Sequence, residues 1–204
     1  MKEIDYYRPT TAISTEIEIK NSRFIAYLEP VNSIAEADAA KAKIKAHHPH
    51  ARHWCWAQIA GTPFDVYASG SSDDGEPAGT AGRPMLAVLT GKPAGYLMVM
   101  VVRYFGGIKL GTGGLVRAYS AAVRAVFELA EWQLCLPMTQ LELIVPYNFH
   151  QSVLHLLQSL DGVVVGNDFS DKIVLNIALP KNNAEKFKQQ LVELASGVIS
   201  TNPA

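Results

Sequence analysis

The chain has 204 residues, 49% hydrophobic and 18% charged, with a formal net charge of −1 at pH 7. That length holds one large core or, as its pattern fits better, two small ones, and the near-neutral balance builds in no general attraction to nucleic acid or to an anionic membrane. Two cysteines, Cys55 and Cys135, with neither CxxC nor finger spacing argue against a disulfide framework and a structural zinc site, and fit a reducing compartment.

The opening MKEIDYYRPT has no apolar leader core, and the most apolar run, Leu97 to Val102, is too short to cross a bilayer, so the expected location is cytoplasmic with no membrane partner. Ile13, Ile17 and Ile19, then Phe24, Ala26 and Leu28, alternate as strands do around Asn21 and Ser22, which predicts a hairpin. SIAEADAAKAKIKAHHP opens on a Ser33-x-x-Glu36 capping box and stops at Pro49, the pattern of a helix of several turns. RHWCWAQIAG alternates again, with His53, Cys55 and Ala57 on one face and Trp54 and Trp56 on the other. Residues 61–82, dominated by Gly, Pro, Ser and Asp, predict a long loop. A short helix follows, with Pro84 at its first position and Gly91 at its end, and YLMVMVVRYF reads as a buried strand. Beyond a glycine-rich loop, Leu115, Tyr119, Ala122, Val126 and Ala130 recur at helical spacing opposite Arg117, Arg124, Glu128 and Glu131, so this helix covers a sheet.

The periodicity lapses around QLCLPM. From Thr139 the order is strand (TQLELIVPY), helix (NFHQSVLHLLQSL), two strands (VVVGNDF, KIVLNIALP), helix (NNAEKFKQQLVELASG) and a last strand (VIS). That βαββαβ order is the ferredoxin-like split βαβ. The expected class is α+β, two α/β-sandwich domains, 1–135 and 136–204.

The loop YFGGIKLGTGG can be a phosphate cradle or only a hinge between strand and helix. It is not a Walker A loop, because Leu115 and Val116 stand where Lys and Ser or Thr are required, and Val116 occupies the third glycine position of a dinucleotide fingerprint. What remains is a strand end, exposed backbone N–H groups and a helix N-terminus, an arrangement that favours anions. Arg103, Lys109 and Arg117 bracket it, and a cation near a helix start calls for a negative group nearby. That group is either a ligand or the acidic loop itself, where Asp73, Asp74 and Glu76 can form internal ion pairs.

SDDGEPAGTAGRPML at Ser72 to Leu86 and VVRYFGGIKLGTGGLVRAY at Val101 to Tyr119 resemble the signature of the IMPACT/YigZ family, and NSRFIA and HPHARHWCWA resemble its upstream pattern. The resemblance runs from about Thr15 to Ala130, and the C-terminal part is similar to the small αβ domain of bacterial members. It implies a first domain like a ribosomal-protein domain and domain four of elongation factor G, and a second like domain five of that factor. It also implies a link to translation; the starvation response of eukaryotic members depends on an additional binding domain and is not carried over.

Two functions are therefore weighed. In the first, the protein is a translation-linked regulatory or binding protein that contacts RNA, the ribosome or another polyanion. Arg52, Arg83, Arg103, Lys109 and Arg117 meet phosphates beside Gly106, Gly107, Gly111, Thr112, Gly113 and Gly114, and Tyr104 or Phe105 stacks on a base. A protein partner in the translation machinery is an adjunct to it. In the second, Asp73, Asp74 and Glu76 hold magnesium for an enzyme acting on a nucleotide or phosphorylated small molecule. No catalytic residue and no cofactor are assigned under the first. His47, His48, His50 and His53 with Cys55 read as surface histidines and a buried thiol rather than a metal site. The sequence indicates no oligomeric state.

Overall fold

The computed structural model describes residues 5–63, 65–169, 172–195 and 198–203. They fall into two compact units, one ending at Cys135 and the next starting at Leu136.

The first unit is built on a five-stranded antiparallel sheet. Its strands are β2 (Ile13–Ile19), β3 (Ser22–Pro30), β4 (His53–Ile59), β5 (Ser69–Ser72) and β6 (Leu97–Tyr104), in the order β2-β3-β6-β4-β5. The central strand β6 explains the layering. Leu97, Val99 and Val101 enter one core with α2 (Gly82–Thr90) and α3 (Thr112–Leu129), whereas Met98, Met100 and Val102 enter a second core with α1 (Ile34–His47). A strand covered on both sides carries no polar alternation, which is why it reads as a continuous apolar run.

The β2–β3 turn has Lys20 and Asn21 both at positive φ, 49° and 60°, the two-residue reversal that matches strand twist. Helix α1 is capped as expected by Ser33, whose Oγ accepts from the Glu36 N–H at 3.2 Å. The return bond from Glu36 reaches one residue further than a standard capping box, to the Asn32 N–H at 2.8 Å.

Three details differ from expectation. The stretch expected as loop contains a 3₁₀ turn (Val66–Ala68) and β5, whose Ser-Gly-Ser-Ser sequence has no apolar alternation and which is defined by its pairing with β4. Pro84 sits at the third rather than the first position of α2. The region where periodicity lapses holds β7 (Trp132–Cys135), which pairs outside the main sheet with β1 (Tyr6–Pro9).

The second unit has the predicted order: β8 (Met138–Val145), α4 (His150–Ser159), β9 (Val163–Phe169), β10 (Ile173–Pro180), α5 (Ala184–Ala195) and β11 (Ser200–Pro203). The sheet order is β11-β8-β10-β9, all antiparallel, so the chain forms the split βαβ. Leu141, Leu143 and Val145 of β8 and Ile173, Leu175, Ile177 and Leu179 of β10 face Val153 and Leu157 of α4 and Phe187 and Leu191 of α5. Among the described residues, no helix is long and apolar enough to cross a membrane.

Candidate anion-binding end of the first unit

Strand register brings the implicated segments to one end of the five-stranded sheet. His53 pairs with Arg103 and Arg23 with Tyr104. The start of β4, the β2–β3 turn and the glycine loop after β6 therefore share that end. The acidic loop, leaving β5 after the Ser72–Trp56 pair, joins them. The acidic loop is tied to β6 by a buried contact: Arg103 Nη1 donates to Glu76 Oε1 at 2.6 Å, with the two side chains only 8% and 3% exposed. The Tyr119 hydroxyl of α3 donates to the same oxygen at 2.9 Å. Burial raises the Tyr119 phenol far above its ordinary value, with Cys55 and Glu76 adding to the effect, so it stays protonated and remains a donor.

The other two carboxylates are also committed. Asp73 accepts from the Gly79 N–H at 2.8 Å on one oxygen and from the Ala81 and Gly82 N–H groups at 2.9 and 2.8 Å on the other. It thereby caps α2, whose own N-cap residue, Ala81, has no capping side chain. Burial works to raise the Asp73 carboxyl, but these three donors and Arg83 outweigh it and hold it below the ordinary aspartate range. Asp74 accepts from the Trp54 N–H at 2.9 Å and lies 3.4 Å from Lys45 Nζ. The Cys55 thiol donates to the Asp73 carbonyl at 2.9 Å and is pushed up to about 12, chiefly by burial, so it is a packed hydrophobe rather than a nucleophile.

These bonds bear on the three carboxylates weighed as magnesium ligands. Asp73, Asp74 and Glu76 hold three different sets of internal partners. Among the described residues, no three His, Cys, Asp or Glu side chains are grouped to hold a metal ion.

Because Asp73 is depressed when folded, its contribution is complete above the unfolded pKa and disappears as pH falls through the folded value. Replacing Asp73 by Ala is expected to cost about 2 kcal/mol near neutral pH. In parallel denaturation curves the gap from wild type should close below about pH 4. A gap that persists unchanged into acid would show that the carboxylate charge is not what holds the loop.

The glycine loop is hinge and exposed surface at once. A Cβ on Gly106 would stand 2.0 Å from the Asn21 carbonyl, so only glycine lets this backbone pass the β2–β3 turn, where the Gly106 N–H donates to Ser22 Oγ at 3.2 Å. Gly111, at φ 71°, is the N-cap of α3 and offers no side-chain cap. Its carbonyl takes the Leu115 N–H at 2.9 Å, and the N–H groups of Thr112, Gly113 and Gly114 have no protein acceptor among the described residues. Arg117 folds back toward them, its Nη1 3.9 Å from where a Gly113 Cβ would be.

Of the cations expected to meet phosphates, Arg52, Arg83, Lys109 and Arg117 are exposed and Arg103 is not. Arg103 is the internal counter-ion of Glu76: strand alternation puts it on the α2/α3 side with Val99 and Val101, where an unpaired guanidinium would be costly. Tyr104 points to the other side. Its hydroxyl is 3.0 Å from His48 Nδ1, whose Nε2 is 2.7 Å from the Tyr27 hydroxyl, and the Arg23 guanidinium lies 5.5 Å from the centre of its ring. Burial, with His47 and Arg23 nearby, lowers His48, favouring the neutral imidazole between the two phenols. The more exposed of the two aromatics is Phe105, at 57%, with the Arg103 guanidinium 5.7 Å from the centre of its ring; Ile108 is 46% exposed.

Sequence reasoning missed Lys20, exposed in the turn that touches Gly106. Its signal was the hairpin turn, which strand pairing carries to this end of the sheet.

The model of the Impact N-terminal domain matches residues 20–127, more than half of the chain, and that of a domain of unknown function, DUF1949, matches residues 143–198. This chain belongs to the IMPACT family. An IMPACT family member of Haemophilus influenzae is 43% identical over 95% of this chain and 94% of its own length. The IMPACT family member YigZ of Escherichia coli is 40% identical over 93% of each chain. A crystal structure described as that of a hypothetical protein superposes with a TM-score of 0.68 at 38% identity, covering 98% of this IMPACT chain and 97% of its own. In this family member the two long motifs are thus joined by the Arg103–Glu76 pair, and their fully exposed charged residues, Arg83, Lys109 and Arg117, are all cations.

Proposed function

We propose that this IMPACT family protein is a translation-linked binding protein whose first unit receives RNA, free or within the ribosome, on the basic glycine-rich end of its sheet. The observation that carries the reading is the sorting of charge there. In the acidic loop Glu76 is buried and Asp73 and Asp74 are taken up by bonds within the protein, while Lys20, Arg52, Arg83, Lys109 and Arg117 are exposed and the N–H groups of Thr112, Gly113 and Gly114 have no acceptor among the described residues. Backbone donors and exposed cations hold phosphates irrespective of sequence, and Phe105 supplies an apolar face on which an unpaired base stacks. The implied likeness to elongation factor G domains four and five accords with this reading and is part of the proposal.

The expected result is that the protein sediments with ribosomes from a cytoplasmic lysate at low salt and is released at high salt, because each phosphate contact gives up a condensed counterion. Protein that stays at the top of the gradient at every salt concentration would count against it.

A further inference from the structure

We infer that the β9 edge of the second unit, together with the adjoining face of α4, is a self-association surface where a second copy of this chain pairs antiparallel, β9 to β9. Among the described residues, strand β9 has a partner only on its β10 side and is an outer strand of its sheet. Val163, Val164 and Val165 are exposed by 53, 38 and 53%, and Phe169 by 54%. The register slips by one residue opposite Asn176/Ile177, leaving Val165 unpaired with β10.

The other outer strands of the two larger sheets are protected. Outer strand β2 carries the exposed Glu16 and Glu18, and the outer strands β5 and β11 are four residues each and mostly polar. Strand β9 has no Lys, Arg or Pro, and its only charge is Asp168 near its end. An unpaired run of β-branched residues in that state is a template for another strand.

The helix beside it has the same character. Helix α4 contains no Asp, Glu, Lys or Arg, and it exposes Gln151, Ser152, His155, Gln158 and Ser159. His150 at its start meets Phe169 at the end of β9 edge-on, ring centres 5.7 Å apart, which makes strand and helix one surface. From residue 146 to 167 the only charge is Asp161. Helix α5, on the same side of the sheet, carries four charges, Glu185, Lys186, Lys188 and Glu193, alongside the exposed Val192 and Leu194. Charge depletion at one edge only is the compositional mark of an interface core.

The absence of charge also selects the occupant. A polyanion finds no cation here, and a strongly charged protein finds nothing to complement. A second copy meets the patch without repulsion, and an antiparallel pair of identical strands is self-complementary about a twofold axis, the commonest symmetry among homo-oligomers.

In sedimentation equilibrium the full chain is expected to be a dimer at about 100 µM and to dissociate on dilution. Val163→Lys/Val165→Lys changes two exposed side chains, so folding is kept, and it should weaken the dimer by about 100-fold or more. Val192→Lys, an exposed position on α5, should leave the dimer intact. Hydrogen exchange of the wild-type protein provides a reading without substitution: amides of residues 163–167 should become more protected as concentration rises. A wild type that is monomeric at that concentration, a dimer indifferent to the two lysines, a dimer broken by Val192→Lys, or exchange independent of concentration would each overturn the inference.

Discussion

Replacing Glu76 by alanine is expected to destabilise the first unit by about 3–5 kcal/mol, the largest single-residue effect anticipated on stability. The variant leaves Arg103 buried with no counter-ion and removes the acceptor of the Tyr119 hydroxyl. Arg103 has no spare bonds to absorb the loss, since its Nε is already buried without a partner among the described residues. For a unit of this size the melting midpoint should fall by on the order of 10 °C or more. All three tryptophans, Trp54, Trp56 and Trp132, lie in the first unit, so tryptophan fluorescence follows its unfolding separately from that of the second. Removing both charges, Glu76→Ala with Arg103→Met, should recover part of the loss, because no uncompensated ion is then left in the interior. A cost below about 1 kcal/mol for Glu76→Ala would mean that the pair behaves as a solvated surface bridge.

That buried pair also marks where sequence reasoning reached its limit. The elements that could be read were those whose own residues specify them: α1 from Ser33 and Glu36, α3 from its helical apolar stripe, and the βαββαβ order from alternating runs separated by turns. Strand β5 was hidden because Ser69 to Ser72 form a strand only through pairing with Trp56 to Ile59 of β4. The pair β1 and β7 was hidden for the same reason, its partners standing at the two ends of the unit.

At the site, the two motifs were legible and so was the choice between ligand and internal ion pairing. The assignment of Arg103 outward was the error. Alternation along β6 already put it on the side of Val99 and Val101, but the compensating carboxylate lies 27 residues away in sequence. Only the fold brings Glu76 to it. The same applies to Asp73, whose role as a remote cap of α2 depends on how the loop between them closes.

With Arg103 assigned to the interior, the decisive test of RNA binding moves to the exposed cations. Reversing Arg103 would confound folding with affinity, whereas Lys109 and Arg117 are exposed and make no ion pair among the described residues. The double variant Lys109→Glu/Arg117→Glu should keep the wild-type melting midpoint and lose about 10–100-fold in RNA affinity near physiological salt, by similar factors on unrelated sequences. Arg117 is the sixth residue of α3, beyond the first turn in which the helix dipole acts, so the exchange is nearly neutral for helix stability. The slope of log affinity against log salt should become shallower by about two, one for each phosphate contact removed. Phe105→Ala should act differently, weakening single-stranded RNA by an amount on the order of 1–3 kcal/mol while sparing duplex, whose bases are not available to stack. RNA affinity that ignores both the double variant and the salt concentration would remove the basic end as the receptor, leaving its exposed amides and guanidinium groups without the phosphates that their arrangement fits.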